Sequence, residues 1–501
     1  MNNKKQLIDI VVDLGADNTG NTEVTDIIQY ALTNYKAIHI PDGTFLVDPV
    51  TMLNVPSNRK ITLSNFAIIK AKPTSNSTYK ILNLLNVENV EITGGTIQGE
   101  RNEHLGITGE HGIGINIKGC KNITIRETVI KDCWGDGIYI GSGIKKYSEN
   151  VKIIDIECDN NRRQGISVIS VKMLKIIRPK VTNTNGTDPQ CGIDIEPNSV
   201  DGLLEGILII DPYTQNNVNQ GIIIGLSKFG GSGKNIDITI QNHVDRGSAC
   251  GFSVSSTSGG FGGKINLINP YYENNKQQGI SIRDYDVSGA VINIVKPTVI
   301  NPNSFNNSAP QYASGIVIYK ETTDTRALNI GNVFIDEPNV VDNRQTPLME
   351  YSVFVRDLTG KTGKKIKVSN PVKLSLTLPF AFYSEAVVID LFESSRYEPS
   401  NGYTVRNQNY RRDISNKNFT TLSTFTLSDD IFINHPQMTF IVENSVGLRI
   451  QPQSFSTIAP LSEVNGKYIQ STQKGARVTI KRMDDTTWVI TEMIGLWTVQ
   501  A

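Results

Sequence analysis

Cysteine is scarce in this sequence. Its five cysteines are odd in number and include no Cys-x-x-Cys pair, which argues against a disulfide framework and favours reduced thiols formed in a cytosol. Lysine plus arginine and aspartate plus glutamate both number 49, so no excess charge favours nucleic acid or a membrane surface. No apolar run is long enough to span a bilayer, and the first residues contain no apolar export segment. We therefore expect a chain without signal peptide, membrane or nucleic-acid partner.

Motifs for tightly held cofactors are also missing. The histidines are isolated and lack zinc-ligand spacing, and no glycine-rich loop stands between a strand and a helix. We therefore expect no metal centre of the zinc type and no nucleotide chemistry.

What the sequence does contain is one repeated phrase: glycine, isoleucine or phenylalanine, any residue, and an aliphatic residue. The spacings between successive leading glycines are 25, 28, 27, 29, 30, 28 and 36 residues, which is typical of a repeat architecture. The copies begin at Gly112, Gly137, Gly165, Gly192, Gly221, Gly251, Gly279 and Gly315.

Each copy alternates with period two, which indicates a strand with one inward and one outward face. A second short strand follows each copy, and a third begins near an X-Pro pair, where a missing backbone donor is tolerated. Asparagine pairs such as Asn160-Asn161 precede several copies, as expected of turns. Three strands per coil predict an all-β fold, a parallel β-helix over residues 37–371.

The ends of the chain differ from the repeat. Residues 22–34 predict an amphipathic helix, with Thr22 as its N-cap, which would cover the open end of the β-helix within a cap of residues 1–36. Short strands over 415–501 predict a β-sandwich-like C-terminal domain, and residues 372–414 a β-containing connector.

The N-terminal motifs carry a resemblance. Residues 13–20 (Asp-Leu-Gly-Ala-Asp-Asn-Thr-Gly), the helix, and residues 38–45 (Ile-His-Ile-Pro-Asp-Gly-Thr-Phe) resemble the first segment of the pectate-lyase-like superfamily. Phage tailspikes and related polysaccharide-degrading proteins look most similar. The resemblance covers about residues 9–370 and implies a right-handed β-helix. Because that superfamily holds lyases, hydrolases, epimerases and binding proteins, it leaves the reaction open.

The first candidate site is a pair of carboxylates in the copy that begins at Gly192. Asp194 and Glu196 alternate with inward Ile193 and Ile195, so both acids should point outward, about 6.6–7 Å apart by strand rise. Such a pair can divide the acid and base roles of glycoside hydrolysis. A pair of solvated surface acids is the alternative explanation.

The second candidate lies beside the leading glycines. Aligned on those glycines, Glu110, His111, Asp136 and Arg163 cluster on three adjacent coils, about 4.8 Å apart per coil. A carboxylate, an imidazole and a guanidinium in one patch suit uronate recognition and proton abstraction, although an ordinary surface ion pair would have the same composition. Two aromatic residues flank this patch and are candidates to stack on sugar rings, namely Trp134 and Tyr139.

A third candidate is an outward acidic stripe, Asp155, Glu157 and Asp159. Because the resembled pectate lyases hold calcium on a β-helix face, Ca²⁺ is a possible ligand there. A solvated strand face explains the same pattern, so no required cofactor is predicted.

Three functions remain in competition. The first is a tailspike-type depolymerase that cleaves a bacterial surface polysaccharide, by hydrolysis rather than elimination. The second is a uronan lyase or C5-epimerase, and the third a non-catalytic glycan-binding tail protein. Tailspikes imply a homotrimer in a virion tail, with other phage tail proteins as partners and folding in the host cytoplasm. The outward aliphatic residues Ile169 and Ile223 favour a covered solenoid face.

Overall fold

Three long sheets of parallel strands wind into a β-helix, as the repeat predicted, and the helix is right-handed, as the resemblance implied. The computed structural model describes residues 7–320, 329–357, 364–369, 373–374, 380–384, 389–391, 398–399, 401–405, 413–428 and 437–500. The sheets hold 14, 13 and 12 strands and are called here the first sheet, the second sheet and the repeat sheet. A complete coil contributes one strand to each sheet, and the aliphatic residues between the sheets form one continuous core.

The strand bounds follow the coils in order. The first sheet comprises Ile8–Asp9, Ala37–Ile40, Arg59–Leu63, Glu88–Thr93, Lys121–Arg126, Ser148–Ile154, Val171–Ile177, Leu204–Ile210, Asn235–Gln241, Gly262–Ile268, Val291–Val295, Gly331–Asp336, Lys364–Ser369 and Ile389–Leu391. The second comprises Thr19–Glu23, Gly43–Val47, Ala67–Ala71, Thr96–Gln98, Val129–Lys131, Glu157–Asp159, Lys180–Thr182, Tyr213–Gln215, Val244–Arg246, Tyr271–Glu273, Thr298–Ile300, Asn339–Val341 and Lys373–Leu374. The repeat sheet comprises Leu53–Asn54, Thr78–Leu85, His111–Lys118, Asp136–Gly141, Gln164–Val168, Cys191–Ile195, Gln220–Gly225, Cys250–Ser255, Ile280–Arg283, Ile316–Lys320, Tyr351–Asp357 and Phe380–Ser384.

These strands extend past both predicted limits of the β-helix, 37 and 371. At the N-terminal end this is because the first coil precedes the cap helix. Much of the predicted connector 372–414 lies outside the described residues.

Glycines at the start of each repeat strand let the coils approach closely. A Cβ on Gly137 would lie 2.7 Å from the carbonyl oxygen of Gly165, and a Cβ on Gly165 would lie 2.7 Å from that of Gly192. The register pairs Ile115 with Ile138, so Gly114, not Gly112, belongs to this column. The predicted alignment of the first copy was therefore wrong by two residues, because Gly112-Ile-Gly-Ile offers two glycines with the same pattern.

The cap helix spans Thr25–Asn34 and buries the predicted apolar stripe, including Val24, Ile28 and Leu32. It begins later than predicted because Thr19–Glu23 forms a strand first. Val24 occupies the N-cap position without a side-chain hydrogen bond, so the prediction of Thr22 as the cap was wrong. A second helix spans Pro310–Ala313, and 3₁₀ turns span Arg101–Glu103 and Ser227–Phe229. No helix among the described residues is long and apolar enough to cross a membrane.

The C-terminal part forms two five-stranded sheets that share one core containing Phe425, Phe440 and Trp488, in agreement with the predicted sandwich-like domain. One sheet contains Thr404–Val405, Ser423–Leu427, Leu448–Gln451, Ile469–Ser471 and Thr498–Val499. The other contains Asp413–Ser415, Met438–Ile441, Thr457–Ala459, Arg477–Arg482 and Thr487–Ile494.

The cysteines are buried and free, and all belong to the β-helix: Cys120, Cys133, Cys158, Cys191 and Cys250. Burial raises the pKa of each thiol, so the reactive thiolate is disfavoured at neutral pH. We therefore expect a reducing agent to leave the melting temperature unchanged, because no covalent cross-link is lost. Calorimetry with and without reductant checks this, and a fall of many degrees would contradict it.

Candidate functional site

Two columns of outward side chains run along the repeat sheet and meet at the candidate residues. One column, just before the glycines, contains Asp136 and Gln164 in register. The other contains Ser167 and Asp194 in register. A glycine follows each member of the first column and breaks the strand alternation there, since a Cβ on Gly137 would point at interior atoms. The two columns therefore face the same side, and their members contact one another diagonally across coils.

Asp136 is a buried carboxylate whose oxygens are all engaged. Arg163 Nη1 lies 3.2 Å from Oδ1 and 3.3 Å from Oδ2, and the Ser167 hydroxyl donates to Oδ2 at 2.8 Å. Burial raises the pKa of Asp136, and the Arg163 guanidinium opposes that rise. Asp136 thus holds Arg163 and Ser167 in place and has little freedom to take up another proton donor.

Asp194 lies two coils further on and is also buried, with 3% of its surface exposed. The Gln164 amide donates to its Oδ2 at 2.7 Å, while Oδ1 accepts no hydrogen bond from the described part of the chain. Burial and then the negative charge of Glu196 raise the pKa of Asp194 to about 8. The carboxyl group therefore keeps its proton at neutral pH. The alternative explanation, a solvated surface acid, therefore does not hold for Asp194.

The segment 196–203, here the crossing loop, follows Asp194 and contacts neighbouring coils. It turns back toward the preceding coils, where the Asn198 amide approaches the Tyr139 hydroxyl at 3.5 Å and Asp201 pairs with Lys146 at 3.1 Å. Lys234 holds the far end of the loop by donating to the carbonyl oxygens of residues 200, 201 and 202 at 2.8–2.9 Å. The loop thus reaches back to the repeat strand Asp136–Gly141, a contact that alternation along a single strand does not reveal.

Glu196 remains accessible at the start of the crossing loop. Its side chain is 37% exposed, and its nearest cation is the Lys228 ammonium at 3.6 Å. A Cβ on Gly225, the neighbour on the next coil, would lie 3.4 Å from Glu196 Cγ, so the missing side chain leaves room beside the carboxylate. One acid of the pair is thus protonated and covered, and the other is open to solvent.

Glu110, His111, Asp136 and Arg163 do lie together, although not by the predicted alignment. His111 pairs with Thr78 and stands two residues before the Asp136 column. Arg163 connects the group, with Nε 3.4 Å from Glu110 and Nη1 3.2 Å from Asp136, and His111 lies 3.7 Å from Glu110. Two carboxylates therefore already neutralise the Arg163 guanidinium.

The two flanking aromatic residues behave differently. Trp134 is stacked on His104 at 3.8 Å and has the Arg162 guanidinium 3.9 Å from its ring centre. Two groups that close occupy opposite faces, so neither face is open to a sugar and the predicted stacking role of Trp134 was wrong. Tyr139 stays half-buried at the site, with the Lys118 ammonium 4.6 Å from its ring centre.

The acidic stripe is engaged by residues of the following coil. Arg178 binds Asp155 through two hydrogen bonds of 2.6 and 2.7 Å, and Lys180 donates to Glu157 at 2.8 Å. Asp159 accepts hydrogen bonds from its neighbours on that coil. Among the described residues no group of three or more His, Cys, Asp or Glu side chains is arranged to hold a metal ion.

The burial of Asp194 predicts a pH-dependent stability. Its pKa rises from 3.8 to about 8 on folding, so the folded state holds this proton more tightly and stability falls as pH rises through that window. Asp194→Asn removes the ionisation. The free energy of unfolding of the variant should therefore rise relative to that of the native protein from pH 4 upward, by on the order of a few kcal/mol at pH 8 and above. Denaturant titrations of both proteins across pH check this; parallel curves would contradict it.

Comparison with known proteins supplies a fold and two relatives. No family model matches the chain. The chain is 29% identical to the Bacillus subtilis protein YclG over 280 residues, and this alignment covers 49% of this chain and 47% of that protein. The chain is also 29% identical over 216 residues to YorA, an SPbeta prophage-derived protein of Bacillus subtilis. This alignment covers 36% of this chain and 37% of that protein. The chain thus spans about half or less of the length of these curated relatives.

Among solved structures, the AlgE6 A-module, a mannuronan C-5 epimerase of Azotobacter vinelandii, superposes with a TM-score of 0.53 at 13% identity over 77% of this chain and 95% of that one. The N-terminal fragment of bacteriophage Phi29 gene product 12 superposes with a TM-score of 0.49 at 16% identity, over 89% of this chain and 70% of that one. The likeness to the epimerase module shows the fold.

Sequence reasoning missed the partners that set the chemistry of the acids. Ser167 and Gln164 bind carboxylates 31 and 30 residues away, and Asn198 approaches a tyrosine 59 residues away. The only signal for the first two was their place in the aligned columns, and nothing in the sequence marked Asn198.

Proposed function

We propose that this protein is a phage tailspike-type depolymerase, an endo-acting glycoside hydrolase that cleaves a bacterial surface polysaccharide. The observation that carries the proposal is the contrast between Asp194, covered and protonated, and Glu196, exposed and two residues away. A prophage-derived relative supports the phage origin. Likeness in fold to an enzyme named for mannuronan supports a polysaccharide substrate.

The two acids fit separate roles. Asp194 would give its proton to the glycosidic oxygen as the bond breaks, and Glu196 would take a proton from the water that attacks the anomeric carbon. The separation expected from strand rise, about 6.6–7 Å, is nearer the roughly 6.5–9.5 Å of inverting enzymes than the about 5–5.5 Å of retaining ones. The proposal therefore includes inversion at the anomeric carbon.

The remaining residues would orient the substrate or the acids. Gln164 fixes one oxygen of Asp194, which leaves the other oxygen to carry the proton. Asp136 holds Arg163, whose charge lies near both Asp136 and Asp194. Tyr139 offers a half-buried ring two coils before Asp194, and Glu110 and His111 form the exposed rim of the same face. Asp136 is thus assigned a positioning role.

A uronan lyase or C5-epimerase is the second candidate, favoured by the grouping of His111, Asp136 and Arg163. An elimination needs a base and a cation that neutralises the substrate carboxylate. Because Glu110 and Asp136 already occupy Arg163, we rank this candidate below hydrolysis. A lyase would produce an unsaturated, ultraviolet-absorbing sugar end, and a hydrolase would not.

A non-catalytic glycan-binding tail protein is the third candidate. It predicts that purified protein binds host cells but leaves no cleared halo on a host lawn. A halo together with released oligosaccharides excludes a non-catalytic protein. Binding to host cells without a halo and without released oligosaccharides supports it over both enzymes. We place the protein in the virion tail, where it would meet the polysaccharide and other tail proteins.

We also propose that the protein is a homotrimer. Three aliphatic residues, Ile154, Ile177 and Ile210, stack outward on successive coils of the first sheet and are only half-buried. Ile223 is likewise half-buried on the repeat sheet, whereas Ile169 is already covered within its own chain. Light scattering should give the mass of three 55.2-kDa chains, and the mass of one chain would contradict the proposal.

A further inference from the structure

Two lysines on the repeat sheet are partly buried without an opposite charge beside them. Several charges on one coil are paired with the opposite charge on the next, as in Asp155 with Arg178, Glu157 with Lys180, and Arg246 with Glu273. Lys80 and Lys118 stand on adjacent coils, and neither has a carboxylate within ion-pair distance in the described part of the chain.

These two lysines are also less exposed than ordinary surface lysines. Both are half-buried, and burial together with the charge of Lys80 lowers the pKa of Lys118. Like charges in a partly desolvated position repel each other, so a fold keeps them together at a cost unless a counter-charge arrives. The Tyr139 ring, 4.6 Å from the Lys118 ammonium, carries no net charge, so a counter-charge would have to come from an anion outside the chain.

The surface between the lysines is built for a polar ligand. Asn83 and Asn116 form an amide ladder, in which Asn116 donates to Asn83 Oδ1 at 2.8 Å. Asn116 is 1% exposed, and its own Oδ1 has no hydrogen-bond partner. A buried acceptor without a partner is costly, so a hydroxyl donor that gained access to it would bind favourably.

The lysines share a face with the proposed catalytic acids. Asn116 stands in register with Tyr139, which is followed on successive coils by Ser167 and Asp194. At about 4.8 Å per coil, Asn116 and Asp194 are about 14 Å apart along the helix axis. Only a chain of several linked sugars reaches from one to the other.

We infer that Lys80 and Lys118, with Asn116, form a subsite for the negatively charged substituent of a sugar several units from the cleaved bond. The substrate class is therefore an anionic polysaccharide, in which a carboxylate or a phosphate supplies the charge. The inference rests on the proposed function for the position of the cleaved bond, but not for the binding itself.

The test measures binding in an Asp194→Asn background, so that no probe is consumed. Alginate, polygalacturonate and phosphomannan are each compared with a carboxyl-reduced or dephosphorylated counterpart by calorimetry. At least one charged probe should bind about tenfold more tightly than its neutral form, which is the contribution of one charge-assisted hydrogen bond. Preference for the uronates identifies a carboxylate, and preference for phosphomannan a phosphate.

The matched control is a second pair of lysines, Lys152 and Lys175, which are in register on the first sheet but fully exposed. Lys80→Met with Lys118→Met should abolish the preference, while Lys152→Met with Lys175→Met should preserve it. Lys118→Met alone, with a melting curve, separates loss of binding from loss of fold. Equal binding of charged and neutral probes, or equal losses in both pairs, would overturn the inference. If the hydrolase proposal fails instead, the charged probes would still bind more tightly than the neutral ones, but the native protein would not cleave them.

Discussion

Asp194→Asn should lower the rate of polysaccharide cleavage by about 10²–10⁴-fold, the usual contribution of a positioned proton donor. The amide keeps the hydrogen bond from Gln164 but carries no transferable proton. Because the native carboxyl titrates near pH 8, the native rate should also decline above that pH. Release of reducing ends, measured across pH, checks both statements.

Glu196→Gln should lower the rate over the same range if Glu196 activates the water. A matched control is Asp237→Asn, which removes an outward carboxylate paired with Lys264 on the first sheet, away from the site. It should retain full activity. If both site variants keep full activity while Asp136→Asn or His111→Ala loses it, the catalytic residues lie instead in the group around Arg163.

Gly165→Ala should prevent the β-helix from closing correctly. A methyl group there would overlap Val181 Cγ1 and lie 2.7 Å from the carbonyl oxygen of Gly192 on the next coil. The neighbouring strands cannot move apart without breaking the hydrogen bonds between parallel strands. The loss in free energy of unfolding should therefore reach or exceed the upper end of the usual overpacking cost of about 1–3 kcal/mol. Denaturant unfolding measures it.

Gly225→Ala is the control for that substitution. It lies on the same sheet, but a Cβ at this position meets no atom closer than 3.4 Å, and that atom belongs to the flexible Glu196 side chain. Its stability should stay within about 0.5 kcal/mol of the native protein, as for a surface change. Equal losses in the two variants would mean that close packing of the glycine column is not the cause.

The sequence predicted most of the fold because the fold is periodic. Alternation placed Ile138, Ile166 and Ile193 in the core and identified the glycine column from Gly137 onward. It misplaced the first copy, since Gly112 and Gly114 satisfy the same pattern and only the register with Gly137 distinguishes them.

The candidate site was predicted less completely, because its chemistry depends on contacts between coils and loops. Alternation gave the outward direction of Asp194, but not its burial or the amide of Gln164 that binds it. Similarly, nothing near Trp134 in the sequence indicated that His104 and Arg162 cover its ring. Direction along a strand is a local property, whereas burial and pKa depend on residues that are distant in the sequence.

Cleavage in water labelled with heavy oxygen tests the central claim most directly. Mass spectrometry of the oligosaccharides released from a panel of host capsules would record where the water oxygen goes. Hydrolysis by Asp194 and Glu196 adds one labelled oxygen to each new reducing end, and Asp194→Asn should reduce that yield by about 10²–10⁴-fold. Products that lack the label and carry an unsaturated, ultraviolet-absorbing end would contradict the account.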